Sequence, residues 1–272
     1  MQTRYLKMHG TGNRILIVDQ RERDADVPSE SELQRLGDPA TGLGFDQLMW
    51  VEAARGPTAL AAYRVFNADG SEVEQCGNGL RCVAWWLARE GTRDFSLESP
   101  AGLVDAAVGD DDRVSVSMGL PVFDPAGIPF DAERESASYP IDVGGETLEA
   151  SVLSMGNPHC VLIVDDVSTA PVDELGAALE THPRFPQKTN VGFMEIRDRK
   201  HIALRVFERG VGETAACGSG ACAAVVSGIR GGHLDDEVCV QVPGGKLVVS
   251  SGPDAVWLTG QVELINEGSI DL

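Results

Sequence analysis

The sequence predicts an α/β chain of the α+β kind, folded as two pseudo-symmetric domains that each wrap a barrel-like sheet of strands around one central helix. Three observations predict it. A short motif occurs twice, as Cys76-Gly77-Asn78-Gly79 and Cys217-Gly218-Ser219-Gly220, and each copy runs into an apolar segment of helical spacing. At the same offset of 141, Arg64-Val65-Phe66 falls on Arg205-Val206-Phe207 and Glu72 on Glu213. Further matches keep the same order at offsets between 141 and 148: Gly12-Asn13 with Gly156-Asn157, Leu16–Asp19 with Leu162–Asp165, Gly44-Phe45 with Gly192-Phe193, and Pro100–Gly102 with Pro243–Gly245. Solenoid repeats recur every ~20–50 residues. The much longer period here gives two like domains, and 272 residues suffice for two separate cores.

Each element has a local reason. Ala61–Phe66 and Val114–Met118 read as strands, the first closed by the turn Asn67-Ala68-Asp69-Gly70. From Leu80, the apolar positions Leu80, Val83, Ala84 and Leu87 follow helical spacing, with Gly91 as the stop. The Pro- and Gly-containing stretch Gly119–Pro129 is the natural boundary. Beyond it Ile202–Phe207 and Val238–Val242 read as strands, the latter ending in the turn Pro243-Gly244-Gly245. Between them Ala221–Val226 and Ile229 are apolar almost all round, as in a helix enclosed by protein, up to Gly231-Gly232. The tail after the second copy would return to the first domain. The expected domains are residues 1–118 with 262–272, and 119–261.

A net charge of −20, from 42 acidic against 22 basic residues, argues against nucleic acid as a partner. No apolar run approaches the ~18 residues of a membrane span. The start, Met1–Lys7, lacks the apolar region of a signal peptide, so the expected location is cytoplasmic, with no membrane partner. Six cysteines in such a chain are expected to be reduced. Cys76-x5-Cys82 and Cys217-x4-Cys222 lack the spacing of zinc sites, so no metal is expected. Cys82, Cys160, Cys222 and Cys239 read as plain buried thiols.

Cys76 and Cys217 differ because each precedes a helix. A helix start leaves N–H groups unbonded and carries partial positive charge, which can lower a cysteine pKa from ~8.5 to as little as ~3.5–7.5. Two matched thiols suit inversion of a carbon centre, where a base removes a proton from one face and an acid delivers one to the other. The N–H groups after Gly77 and Gly218 would hold an α-carboxylate as charge spreads onto it.

Five motifs stand in order over nearly the whole chain: Phe66-Asn67-Ala68-Asp69-Gly70-Ser71, Cys76-Gly77-Asn78-Gly79, Ser154-Met155-Gly156-Asn157-Pro158-His159-Cys160, Glu208-Arg209-Gly210 and Ala216-Cys217-Gly218-Ser219-Gly220. Together they resemble the diaminopimelate epimerases. The resemblance implies interconversion of LL- and meso-2,6-diaminoheptanedioate without pyridoxal phosphate or any other cofactor, feeding lysine and cell-wall synthesis, in a cleft between two similar domains. It implies Cys76 and Cys217 as the acid/base pair, with His159 and Glu208 near the thiols setting their protonation. It further implies Gly77, Asn78, Gly218 and Ser219 as anion-holding helix starts, and Asn13, Gln47, Asn67, Asn157, Asn190, Glu208 and Arg209 as substrate-binding residues. Arg209 suits a carboxylate of the substrate's second amino-acid centre and Glu208 its ammonium. The expected partner is that small molecule, and the assembly is left open, with a homodimer among the options.

The chain departs from the commoner pattern after Asn13, where Arg14-Ile15 replaces Asp-Phe. Two rival readings stand beside this one. A proline or hydroxyproline racemase has the same fold, but its motifs resemble Cys-Gly-His and Ser-Pro-Cys-Gly-Thr-Gly, against Asn78 and Ala216-Cys217-Gly218-Ser219 here. A non-catalytic thiol switch or metal-binding protein would need a functional disulfide or tight metal binding, and the cysteine spacing supplies neither.

Overall fold

The computed structural model describes residues 2–23 and 25–272. The chain divides into two compact units, Met1–Ser117 with Thr259–Leu272, and Met118–Leu258. The seams fall at Ser117/Met118 and Leu258/Thr259, against sequence boundaries at 118/119 and 261/262. Thr259, in the first unit, hydrogen-bonds its hydroxyl with that of Ser115 at 2.7 Å.

The first unit runs β1 (Gln2–Gly10), β2 (Asn13–Asp19), α1 (Glu30–Gly37), β3 (Gln47–Glu52), β4 (Ala59–Asn67), β5 (Glu72–Val73), α2 (Gly77–Ala88), β6 (Asp94–Ser99), β7 (Gly102–Val108) and β8 (Val114–Ser117). After a 3-10 turn at Pro125–Gly127, the second runs β9 (Tyr139–Val143), β10 (Glu146–Ser154), β11 (Pro158–Ile163), α3 (Val172–Glu180), β12 (Asn190–Asp198), β13 (His201–Glu208), β14 (Gly212–Thr214), α4 (Gly218–Arg230), β15 (Glu237–Val242), β16 (Gly245–Ser251) and β17 (Val256–Gly260). The chain returns to the first unit as β18 (Glu263–Asp271).

One connectivity serves both units. In the first, β18, β1 and β2 pair antiparallel in succession, β3 joins β2 in parallel, and β4 lies antiparallel to β3. β4 then carries β5 antiparallel and β6 parallel, and β7 and β8 follow antiparallel. In the second, β9, β10 and β11 repeat the opening, β12 joins in parallel, and β13 carries β14 antiparallel and β15 parallel before β16. The tail strand β18 thus takes the place in its unit that β9 takes in the other.

The two long helices are each enclosed by strands. α2 lies against β1, β2, β3, β7 and β8, and α4 against β10 to β13 and β16. Gly77–Ala84 and Leu87 of α2 are buried, as are Gly220–Gly228 of α4, whose small side chains let the strands close in on all sides. Both helices begin at the glycine after the cysteine, three residues ahead of the apolar spacing in α2. Gly91 takes the left-handed φ of +113° just past the end of α2, as a chain reversal requires.

The parallel steps β2 to β3 and β11 to β12 need crossovers. These carry α1 and α3, which the apolar spacing read above does not include. Ser29 caps α1, its backbone N–H bonded to Glu32 Oε2 at 2.9 Å, and Leu33 and Leu36 cover Leu16, Val18, Phe45, Leu48, Trp50 and Phe66. Val172 and Leu179 of α3 join a core with Ile141, Val152, Cys160, Phe185 and Phe193. α3 sits so close to β13 that a Cβ at Gly176 would lie 2.6 Å from Phe207 Cβ and Cγ, atoms too near the backbone to swing aside. Gly176→Ala is therefore expected to lower stability by about 1–3 kcal/mol in urea unfolding, the usual range for overpacking. An unchanged midpoint would show that α3 can lift off β13 at no cost.

Candidate active site

Cys76 is extended (φ −140°, ψ 101°), and its sulfur caps α2 by accepting the Gly79 N–H at 3.1 Å. Glycine at 79 leaves room for Met49, whose Sδ would lie 2.4 Å from a Cβ there and would have to shift. Two strand starts bring amides to this sulfur, and a third strand end supports one of them. Gln47, opening β3, places Oε1 2.6 Å from Sγ, and Asn13, opening β2, places Oδ1 at 3.9 Å. Gln47 Nε2 donates to Asn67 Oδ1 at 3.1 Å at the end of β4, and Asn67 Nδ2 donates to Ser71 Oγ at 3.1 Å. Asn78 is buried in the first turn, its Oδ1 accepting from the buried Arg81 at 2.6 Å, which turns the amide nitrogen away from that cation.

Cys217, also extended (φ −111°, ψ 113°) and only 4% exposed, precedes α4 with Ser219 Oγ 3.6 Å from Sγ. Glu208 ends β13, and the hairpin that sets it opposite Gly212 folds Thr214 back to donate to its Oε1. Burial raises the Glu208 carboxyl above its ordinary range, while bonds from Thr214 and Cys217 oppose the shift. Burial, and then the Glu208 charge, push the Cys217 thiol well above its ordinary value, with Ser219 opposing. Cys217 therefore keeps its proton and gives its hydrogen bond to Glu208.

His159 is almost wholly buried, with Nε2 2.9 Å from Asn157 Oδ1. Burial, helped by the Arg209 charge, lowers its pKa to about 3, so the ring is neutral. Asn190 donates to the Pro158 carbonyl at 3.0 Å and accepts the Arg209 N–H at 3.0 Å, so both ends of its amide hold backbone. The Arg209 guanidinium reaches the Gln187 carbonyl at 3.3 Å.

In each unit, then, the residues picked out by sequence stand at closely matching places: Asn13 at the first residue of β2 and Asn157 one residue before β11, Gln47 and Asn190 at the start of the parallel strand, Asn67 and Glu208 at the end of the next. Asn13 and Gln47 reach Cys76, with Asn67 bonded behind Gln47; Glu208 and Ser219 reach Cys217. His159 is held by Asn157, and Arg209 by Asn190. The units differ in one decisive position, an amide at Asn67 against a carboxylate at Glu208. Sequence reasoning did not include Thr214, which bonds Glu208, or Glu180, a buried carboxylate that accepts the Gly210 N–H at 2.8 Å and braces the Glu208–Gly210 turn. Neither carries a motif; only the hairpin and α3 bring them in.

Among the described residues, no cysteine is in a disulfide and no cluster of three or more His, Cys, Asp or Glu could hold a metal. Burial drives Cys82 and Cys160 to about 12, as for inert core thiols, while Cys239 is only half-buried, contrary to the sequence expectation. It lies near the start of β15, with its side chain less covered than those of Val238 and Val240 beside it. No helix among the described residues is long and apolar enough to cross a membrane.

A family model described as diaminopimelate epimerase matches residues 5–123 and 151–265. Curated diaminopimelate epimerases of Stutzerimonas stutzeri and Nitrosomonas europaea are 47% and 48% identical to this chain, each match covering 100% of both sequences. Solved structures share the fold at lower identity. A hydroxyproline epimerase from Agrobacterium vitis with bound trans-4-hydroxy-L-proline has a TM-score of 0.72 at 17% identity, covering 100% of this chain and 93% of that one. A phenazine biosynthesis protein from Bacillus anthracis has 0.70 at 16%, covering 100% of both. With a family model that matches within both units, and relatives nearly half identical from end to end, the chain belongs to the diaminopimelate epimerase family.

Proposed function

We propose that the chain interconverts LL- and meso-2,6-diaminoheptanedioate by two-base proton transfer, with Cys76 and Cys217 as base and acid. The observation that carries this reading is a buried cysteine sulfur at the start of an enclosed helix in each unit, met by polar side chains from strand ends. One thiolate takes the α-proton, forming S–H as the C–H bond breaks. The other thiol gives its proton to the opposite face of the same carbon, leaving a thiolate. Each turnover exchanges the two protonation states, so the reverse reaction uses the same pair.

Family membership supports the substrate, and the site supports the roles. Cys217, held as a thiol beside Glu208, starts as the acid, and Cys76 as the base. Gln47 serves Cys76 in either state, because Oε1 accepts from a thiol and the turned amide donates to a thiolate. The first-turn N–H groups at Gly77–Asn78 and Gly218–Ser219 face the α-carboxylate as negative charge spreads onto it. Asn13, Asn67, Asn157 and Arg209 hold the second amino-acid centre. In this reading the enzyme works without a cofactor in the cytoplasm, acting on a small molecule in lysine and cell-wall precursor synthesis rather than on a membrane or nucleic acid.

Reduced protein incubated with the LL isomer in deuterated water is expected to yield the meso isomer with one solvent deuterium at the inverted α-carbon, read by NMR and chiral chromatography. L-proline run alongside should gain none. No exchange into diaminopimelate by folded, reduced protein would sink the reading, and inversion of proline in its place would favour the racemase.

A further inference from the structure

The residue that departs from the family's commoner pattern, Arg14, makes a compact contact of its own. Its backbone N–H donates to Asp46 Oδ2 at 2.7 Å, Nε to the same oxygen at 3.3 Å, and Nη2 to Oδ1 at 2.6 Å, while the Asp46 N–H returns to the Arg14 carbonyl at 2.9 Å. These bonds fasten β2 to the residue just before β3, directly ahead of the first parallel pair, Ile15 with Gln47. Asn13 and Gln47, which reach the Cys76 sulfur, are the chain neighbours of the two fastened residues. The Asp46 carbonyl also accepts the Ala68 N–H at 3.1 Å, next to Asn67. Asn13, Gln47 and Asn67 are thus each one residue from this contact.

The second unit fastens the corresponding strands differently. There the Asn190 amide itself donates to the Pro158 carbonyl, across the first pair of β11 and β12. In the first unit the ion pair does the fastening, and the Gln47 amide is left to serve the sulfur.

We propose that Arg14 and Asp46 form a positioning clamp that sets Asn13 and Gln47 against Cys76, and so controls the reactivity of that thiol more than the stability of the fold. Both side chains are partly exposed, 43% and 37%, where an ion pair contributes little to stability. Their geometric effect is larger, since a misplacement of about 1 Å at a reacting group can cost on the order of 10²-fold in rate.

For the catalytic step this inference rests on the proposed reaction, so the test includes a measurement that needs no substrate. The rates at which iodoacetamide alkylates Cys76 and Cys217 in the intact protein are followed by peptide mass spectrometry, alongside kcat and KM for diaminopimelate. Arg14→Met is expected to change the Cys76 rate relative to Cys217 by about threefold or more and to lower kcat by about tenfold, with a smaller rise in KM through the displaced Asn13. Tm should move by less than about 4 °C. Arg14→Lys should recover part of kcat, because it restores the charge without the two-pronged fork. An unchanged Cys76 to Cys217 ratio in Arg14→Met overturns the clamp, as does a loss of kcat matched by a large fall in Tm and an equal change at both thiols. A wild type that fails to invert diaminopimelate, while Arg14→Met still shifts the Cys76 ratio, refutes the reaction and leaves the clamp standing.

Discussion

Cys76→Ala and Cys217→Ala are each expected to abolish inversion, lowering kcat by on the order of 10⁴-fold, the upper end of what one acid/base group contributes. The upper end applies because inversion needs both partners, although Cys217 has another proton-transferring group, Glu208, bonded to it. The Asn13 and Gln47 side chains bonded to Cys76 are amides, which do not transfer protons at neutral pH. His159 is buried, neutral and committed to Asn157. Glu208 is the one carboxylate at Cys217, so Cys217→Ala is the variant in which residual inversion would appear. Stability losses should be small by comparison: Cys76→Ala removes the acceptor of the Gly79 N–H, a cap contribution of about 1 kcal/mol. Chiral chromatography of the products, with circular dichroism to establish folding, checks both. A folded single variant that inverts at the wild-type rate would show that its sulfur is not a base or acid in this reaction.

The helix starts and the thiol pair were legible because the cues are local. A cysteine followed by glycines and then an apolar helix signals a cap wherever it occurs, and repetition singled out two cysteines from six. Contacts made through strand register were not legible. Glu208 meets Thr214 only because β14 folds back with Glu208 opposite Gly212, and Arg14 meets Asp46 only because β2 and β3 are joined in parallel through α1. The Ser29-x-x-Glu32 cap of α1 is a readable local signal, but a short helix with one covered face owes its position to the strands beneath it. The repeat even masks the chief asymmetry of the site. It equates Cys76 with Cys217, whereas the matching strands end in Asn67, an amide bonded behind Gln47, and in Glu208, a carboxylate at Cys217 itself.

Glu208→Gln tests what that asymmetry does. The substitution keeps the shape, and Oε1 can still accept from Thr214, but it removes the negative charge that helps hold the proton on Cys217. An amide nitrogen turned toward the sulfur would also stabilise the thiolate, so both changes lower the Cys217 pKa from its raised wild-type position. A reaction that needs one thiol and one thiolate loses rate at alkaline pH when the second thiol ionises. The alkaline limb of kcat/KM should therefore move to lower pH in the variant, and kcat at pH 8 should fall by on the order of 10²-fold. Stability should respond in the opposite sense. The folded carboxyl titrates above its ordinary value near 4.5, so between the unfolded and folded pKa values the folded state holds a proton that the unfolded state releases. Wild-type stability consequently declines as pH rises through that window, and the glutamine variant escapes the decline. Relative to wild type, Glu208→Gln should gain stability from pH 4 to pH 8 in urea unfolding even as it loses activity. If the alkaline limb stays in place and the stability difference is the same at both pH values, the carboxylate does not govern the Cys217 proton, and the assignment of Cys217 as the resting acid fails with it.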